Sequence, residues 1–246
     1  MRFEMRLITA CNAGWFGKIL PYLDSLKQNA DFPATLISVG FEGAYPGVDC
    51  ALLTRVQNAG SPLETESPQH GSFLQVLPGN DDELLIFTDG DIVLQRPLTI
   101  QEHAWLGSIP FGFVSCGWNS GPAETLEVEA NRLFPRVTME QLAGRLGSIA
   151  RTAPCYNIGV FAAHRQTYRR IYEAYMPLWK IATDAFQHPA RQQWLVNYVI
   201  ATLNIPVIHM EYSFHANGHY GIPPGVELVN GAALYQGEVV AFKHRL

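Results

Sequence analysis

The sequence predicts an α/β fold, a central sheet flanked by helices, and three observations carry that expectation. Strand-like and helix-like segments alternate along one continuous block, which favours βαβ units and a mainly parallel sheet. The strand candidates in the first half are short apolar runs rather than alternating ones, as in a sheet covered on both faces. The 246 residues are 48% hydrophobic and only 16% charged, enough apolar material for a core and the wrong balance for disorder. No repeat, low-complexity tract or linker divides the chain, so a single domain over 1–246 is expected. Its first part, 1–98, leads up to an acidic motif, and 99–246 follows it.

The elements are justified in order. Leu7 to Ala10 reads as a first strand, closed by the turn-forming Cys11-Asn12-Ala13-Gly14. Phe16, Ile19, Leu20, Leu23 and Leu26 then recur at helical spacing. Pro21 is expected to lie in the first turn, where backbone N–H groups have no intrahelical partner. Ala34 to Gly40 reads as a buried second strand and Cys50 to Val56 as a third. Ser61 to His70 is a polar loop, and Ser72 to Leu77 a short helix stopped by Pro78. After the turn Asn80 to Glu83, Leu84-Leu-Ile-Phe-Thr88 is the best-defined strand in the chain. Thr99-Ile-Gln-Glu102 and Thr138-Met-Glu-Gln141 are capping-box patterns, each opening a short helix. Strands are expected within Pro110 to Cys116 and Ala153 to Ala163, and helices over His164 to Trp179 and Gln192 to Leu203. The tail from Glu211 is rich in glycine and proline before a last strand, Val239 to Phe242, so an added mixed-sheet portion is expected there.

Charge and cysteine usage exclude some classes. A net charge of −5 provides no overall field for a polyanion, and nucleic-acid binding is not expected. The four cysteines, Cys11, Cys50, Cys116 and Cys155, form no C-x-x-C pair, so buried reduced thiols are expected rather than a zinc knuckle or disulfides. The apolar run from Leu7 is cut at Asn12, too short for a signal peptide or for a membrane span of roughly 20 residues. A soluble, cytoplasmic protein is the expectation.

Asp89-Gly90-Asp91 follows the strand Leu84 to Thr88 directly. Ligands of open α/β sheets bind beyond the carboxyl ends of strands, so both carboxylates emerge where a substrate sits. In an extended segment, residues two apart point the same way, and Gly90 leaves room for a ligand oxygen. Two such carboxylates repel unless a cation neutralises them, and hard oxygen donors suit Mg²⁺ or Mn²⁺ bridging to phosphates. An exposed Asp-Gly-Asp turn without a ligand is the plain alternative. Asp89-Gly-Asp91-Ile-Val93-Leu94 also satisfies the nucleophile segment of haloacid-dehalogenase-like Mg²⁺-dependent phosphatases. Those enzymes need a downstream acidic cluster, and Asp184 is the sole aspartate after Asp91.

The chain resembles nucleotide-sugar glycosyltransferases of the GT-A fold, particularly the retaining family of glycogenin and galactosyltransferase-like enzymes, at four places in family order. Ile86-Phe-Thr-Asp-Gly-Asp-Ile-Val-Leu94 with Pro97-Leu98 resembles the metal segment and its following strand. Tyr156-Asn157-Ile158-Gly159-Val160 is similar to a Phe-Asn-x-Gly-Val strand that brings an asparagine near the donor sugar. Gln192-Gln-Trp-Leu-Val-Asn197 resembles an Asp-Gln-x-x-Leu-Asn helix start, and Phe242-Lys243-His244 a late strand bearing the third metal ligand.

The resemblance implies a Rossmann-like nucleotide-binding half, a mixed central sheet, and transfer of a sugar from a nucleotide-diphosphate sugar, a UDP-sugar, to an acceptor the sequence does not identify. It implies Asp89, Asp91 and His244 as ligands of Mn²⁺ or Mg²⁺, with Gln193, or Gln192 in a shifted alignment, on the reacting face. Thr9, Ala10, Cys11 and Asn12 would meet the nucleotide, Gly90 and Asn157 the donor, and Lys243 the departing phosphate. His215 and His219 also compete for the metal, although their glycine-rich setting suggests a lid. Where the family carries an acid at the helix start, this chain has Gln192 or Arg191. Few carboxylates follow Asp91 (Glu124, Glu127, Glu129, Asp184 and Glu211 are candidates for a base), which favours a retaining mechanism. A non-catalytic nucleotide-sugar-binding module is the remaining alternative.

Overall fold

The computed structural model describes residues 4–12, 14–39, 53–58, 70–119, 124–183 and 191–246. Cys50, the loop 61–69 and Asp184 lie outside the described residues.

A seven-stranded sheet organises the chain in the order β3-β2-β1-β4-β7-β6-β8. β1 (Met5–Asn12), β2 (Ala34–Val39), β3 (Leu53–Asn58) and β4 (Leu84–Thr88) run parallel. β7 (Tyr156–His164) is antiparallel to β4 and to β6 (Val114–Trp118), and β8 (Val207–His209) pairs parallel with β6. The sheet is therefore mixed, with its parallel part in the N-terminal half. Every residue of β4 is buried because both of its faces are covered. Leu84 and Ile86 join one core with Leu7, Leu36 and Val160, whereas Leu85 and Phe87 join the opposite core with Ile8, Ile37 and Phe161.

Helix α1 (Phe16–Asn29) packs on the first of these cores through Ile19, Tyr22, Leu23 and Leu26. Pro21 sits beyond its first turn, a departure from the sequence expectation, and Leu20 is only half-buried. The helix also fixes the short strand β5 (Ile92–Leu94): Ser25 Oγ accepts from Leu94 N–H at 3.0 Å, and Asn29 Nδ2 donates to Leu94 O at 2.7 Å. The segment 72–77 is a 3₁₀ turn, Ser72–Gln75, rather than an α-helix.

Both capping boxes form, opening α2 (Ile100–Gly107) and, further along, a helix at Met139–Leu146. Between them lies α3 (Leu126–Leu133), which the sequence did not announce. Its cap Thr125 accepts from Val128 N–H at 3.3 Å, but valine at the third position supplies no reciprocal carboxylate. The Met139–Leu146 helix is α4, followed by α5 (Arg165–Thr183) and α6 (Arg191–Thr202). These four helices cover the second core, with Trp179, Trp194 and Tyr198 buried. Replacing Thr99 by alanine removes one half of a capping box and should cost about 1 kcal/mol, read as a lower urea midpoint with an unchanged slope.

The tail contains the expected additional sheets, with different boundaries. β10 (Val226–Val229), β11 (Ala232–Tyr235) and β12 (Glu238–Val239) form an antiparallel meander. The last strand is β13 (Phe242–His244), which pairs antiparallel with β5 and parallel with β9 (His215–Asn217). Among the described residues, no helix is long and apolar enough to cross a membrane. Cys11, Cys116 and Cys155 are free and buried.

Candidate active site

The carboxyl ends of β1 and β4 open on one edge of the sheet, since the two strands run parallel with Ile8 opposite Phe87. Beyond Thr88 the chain leaves the sheet. Asp89 N–H donates to Gly159 O of β7 at 2.8 Å, and Ile92 N–H closes back on Asp89 O at 3.3 Å. Asp89 to Ile92 is thus a turn rather than the extended segment expected from spacing, and the turn makes the carboxylates converge. Gly90 serves helix packing: a Cβ there would lie 3.3 Å from Ile19 Cγ1 of α1.

Strand pairing brings in the histidine. Ile92 faces His244 in the β5–β13 ladder, so a residue from the end of the chain reaches the acidic turn. His244 Nε2 lies 3.2 Å from Asp91 Oδ1. Ligand atoms of Asp89, Asp91 and His244 all fall within 4.8 Å of one another. His244 is buried; its Nδ1 makes no hydrogen bond among the described residues, and its Nε2 has the ion-pair contact with Asp91 but no well-formed hydrogen bond. A buried imidazole whose only polar neighbour at Nε2 is a carboxylate of the same cluster fits a metal-ligand position. Two carboxylates and an imidazole are a donor set compatible with Mn²⁺ and acceptable to Mg²⁺.

Two features hold that ring. A Cβ on Gly159 would stand 2.5 Å from His244 Cε1 and 2.7 Å from its Nδ1, so only glycine permits the ring to lie against β7. His215 packs beside it with centroids 5.8 Å apart and planes at 19°. His215 is therefore a buried residue of β9, not a member of a glycine-rich loop, and burial holds its pKa well below the usual value.

Arg245 is the site residue that sequence reasoning missed. Its backbone takes the left-handed conformation (φ 52°), and its guanidinium reaches the carboxylate that His244 also contacts. Arg245 Nε donates to Asp91 Oδ2 at 2.5 Å, and Nη1 lies 2.7 Å from His219 Nδ1. Burial pushes the Asp91 carboxyl up, but His244 and Arg245 outweigh it and hold the group well below the usual range. Lys243, next in line on β13, faces elsewhere and donates to Gly231 O at 2.5 Å.

The amide residues gather beside this cluster. Asn157 Oδ1 accepts from Gly159 N–H at 2.9 Å, and its Nδ2 donates to Gln193 Oε1 at 3.3 Å. Gln193 Nε2 donates to Asn119 Oδ1 at 3.1 Å and to Glu129 Oε1 at 3.4 Å. Gln192 is half-buried and outside this set of hydrogen bonds. Of the β1 residues, Thr9 is buried, Ala10 half-buried and Asn12 exposed, with Asn12 Oδ1 accepting from Trp15 N–H at 3.0 Å. The Cys11 side chain lies in the core with Ile19, and burial raises its pKa to about 11. A cleft next to Asn217 is lined by Trp118, Asn119, Tyr212, Tyr220 and Ile222.

These positions separate the competing histidines. His244→Ala should weaken Mn²⁺ binding in the presence of UDP by at least about tenfold. His219→Ala, which loses the contact with Arg245 and the packing on Tyr220 but no member of the acidic cluster, should change it less than about threefold. Calorimetric titration of both variants checks this, and the reverse order would move the third ligand to His219.

No protein-family model matches the chain, and no curated protein matches it in sequence. Among solved structures, it is similar to the galactosyltransferase LgtC in complex with donor and acceptor sugar analogues. The TM-score is 0.59 at 12% identity, covering 98% of this chain and 86% of that one. An active-site mutant of LgtC, glutamine replaced by glutamate, gives 0.58 at 14% identity over the same shares. The likeness shows the fold: this chain has the GT-A architecture, a mixed sheet flanked by helices.

Proposed function

We propose that the chain is a metal-dependent glycosyltransferase that takes a sugar from a nucleotide-diphosphate sugar, a UDP-sugar, and transfers it with retention. The observation that carries this is the meeting of Asp89, Asp91 and His244 at the carboxyl edge of a GT-A sheet. In this assignment 1–98 forms the donor half of a single domain, and 99–246 forms the acceptor half with the metal-binding tail. The free, buried thiols fit a cytoplasmic setting.

Asp89, Asp91 and His244 would hold Mn²⁺ or Mg²⁺, which when bound supplies neutralisation of the diphosphate charge. Arg245, rather than Lys243, offers a cationic side chain beside that diphosphate, because its guanidinium already reaches Asp91. The end of β1, Thr9 to Asn12, would meet the nucleotide through its backbone and Asn12, since Cys11 points into the core, while Asn157 and Gln193 would line the sugar side. Glu129 is fully buried and ion-paired with Arg132 at 2.9 Å, a poor setting for a general base. Same-face displacement, in which the leaving phosphate takes the acceptor proton, needs no such base.

A phosphatase of the haloacid-dehalogenase type is disfavoured, because among the described residues the acidic pair gathers His244 and Arg245 rather than a downstream acidic cluster. The test is a thermal-shift panel of UDP, GDP, CDP and their hexose conjugates with and without Mn²⁺. A UDP-selective, Mn²⁺-dependent rise in Tm together with release of UDP from a UDP-hexose is expected. Binding without any turnover, on any acceptor or on water, would leave a binding module and contradict the enzyme assignment.

A further inference from the structure

We propose that Glu129 is a positioning residue that fixes the polarity of the Gln193 amide, so that Gln193 meets a bound substrate only as a hydrogen-bond acceptor. The part this plays in transfer rests on the glycosyltransferase assignment; the polarity itself does not.

The two ends of a side-chain amide are nearly equal in size, so its orientation is decided by its partners. Asn119, Asn157 and Gln193 are all such groups and cannot orient one another unaided. The row is anchored at its ends by two groups that cannot exchange roles. At one end, the backbone N–H of Gly159 only donates; it points at Asn157 Oδ1 at 2.9 Å, which turns Asn157 Nδ2 toward Gln193. At the other end, a carboxylate only accepts. Glu129 Oε2 takes Arg132 Nη1 at 2.9 Å, and Oε1 takes Tyr220 Oη–H at 3.0 Å and Gln193 Nε2 at 3.4 Å.

Hydrogen bonds therefore run one way from Gly159, beneath His244, to Glu129 on α3. Rotating the Gln193 amide by half a turn would set its oxygen against the carboxylate and its N–H groups against Asn157 Nδ2. Both N–H groups of Gln193 are committed, one to Glu129 and one to Asn119 Oδ1 at 3.1 Å. Its carbonyl oxygen receives one hydrogen bond and retains a second lone pair. A ligand at this position must bring a donor, and for a sugar that is a hydroxyl group.

A purely structural Glu129 would serve only to pair with Arg132 within α3 and to hold the Tyr220 hydroxyl, and the two roles separate experimentally. Glu129→Gln keeps the volume but presents either a donor or an acceptor, whereas Glu129→Asp keeps an acceptor-only group. In ¹⁵N-labelled protein without ligand, the Gln193 side-chain NH₂ resonances are assigned by their absence in Gln193→Glu. In Glu129→Gln they should shift and exchange with solvent about tenfold faster, and in Glu129→Asp they should move back toward wild type. Hydrolysis of UDP-hexose should lose about 10- to 100-fold in kcat in Glu129→Gln, with KM and Mn²⁺-dependent UDP affinity within about twofold.

A stability readout stands beside these, should Glu129→Gln fold poorly. Gln193→Glu sets two carboxylates together and should lower Tm, and combining it with Glu129→Gln should restore Tm. Unchanged Gln193 resonances in Glu129→Gln would overturn the proposal, as would a Gln193→Glu protein no less stable than wild type. Full kcat in a Glu129→Gln protein whose amide has moved would also overturn it. A wild type that hydrolyses no nucleotide sugar refutes the functional assignment instead, while the resonances still decide the polarity of Gln193.

Discussion

Gly159→Ala is expected to disable the site through one methyl group. The added carbon would lie 2.5 Å from His244 Cε1 and 2.9 Å from Asn157 Oδ1, well inside van der Waals contact. Neither neighbour is a flexible chain end. His244 is held in β13 between β5 and β9, and Asn157 is bonded to Gly159 and Gln193. Overpacking of this kind costs about 1–3 kcal/mol, and displacing a ligand's support lowers metal affinity by about 10- to 100-fold. The variant should show reduced Tm and Mn²⁺ affinity as poor as that of His244→Ala. Wild-type Mn²⁺ affinity in Gly159→Ala would mean that His244 is not a ligand in this position.

Removing both carboxylates should have the larger effect on turnover. Asp89→Ala combined with Asp91→Ala leaves one imidazole, which cannot hold a hard cation against a diphosphate. UDP release from a UDP-hexose should fall by at least about 1000-fold. The far-ultraviolet circular dichroism should remain that of the wild type, because both side chains are only half-buried and lie in a turn beyond the end of β4. Asp91→Ala alone also frees Arg245, so it should retain some Mn²⁺-independent UDP affinity that Arg245→Ala then removes.

How legible this was in the sequence follows from what each feature depends on. The strand Leu84 to Thr88 and the acidic pair were readable because apolar run and motif are local. So were the capping boxes at Thr99 and Thr138, whose chemistry lies within four residues. Helix α3 escaped notice because Val128 occupies the position where a glutamate would have completed the signal. The strands β8 and β9 are three residues long, shorter than any periodicity can register, so His215 was read as loop.

His244 was named by resemblance, but its contact with Asp91 depends on pairing between β5 and β13, which no local pattern encodes. Arg245 was hidden for a different reason. Its side chain reaches Asp91 through a left-handed backbone, whereas Lys243, the residue chosen from the motif, points to Gly231. The turn geometry at Gly90 likewise answers to Ile19 on α1, a partner more than one element away.

The central claim is that Asp89, Asp91 and His244 hold a divalent cation against a nucleotide diphosphate, and electron paramagnetic resonance of Mn²⁺ tests it most directly. With UDP present, wild-type protein should quench the free-ion signal at one Mn²⁺ per chain, and the Asp89→Ala/Asp91→Ala protein should leave the signal of the Mn²⁺–UDP mixture unchanged. Equal quenching by both proteins, or UDP binding in the wild type that is indifferent to Mn²⁺, would contradict it.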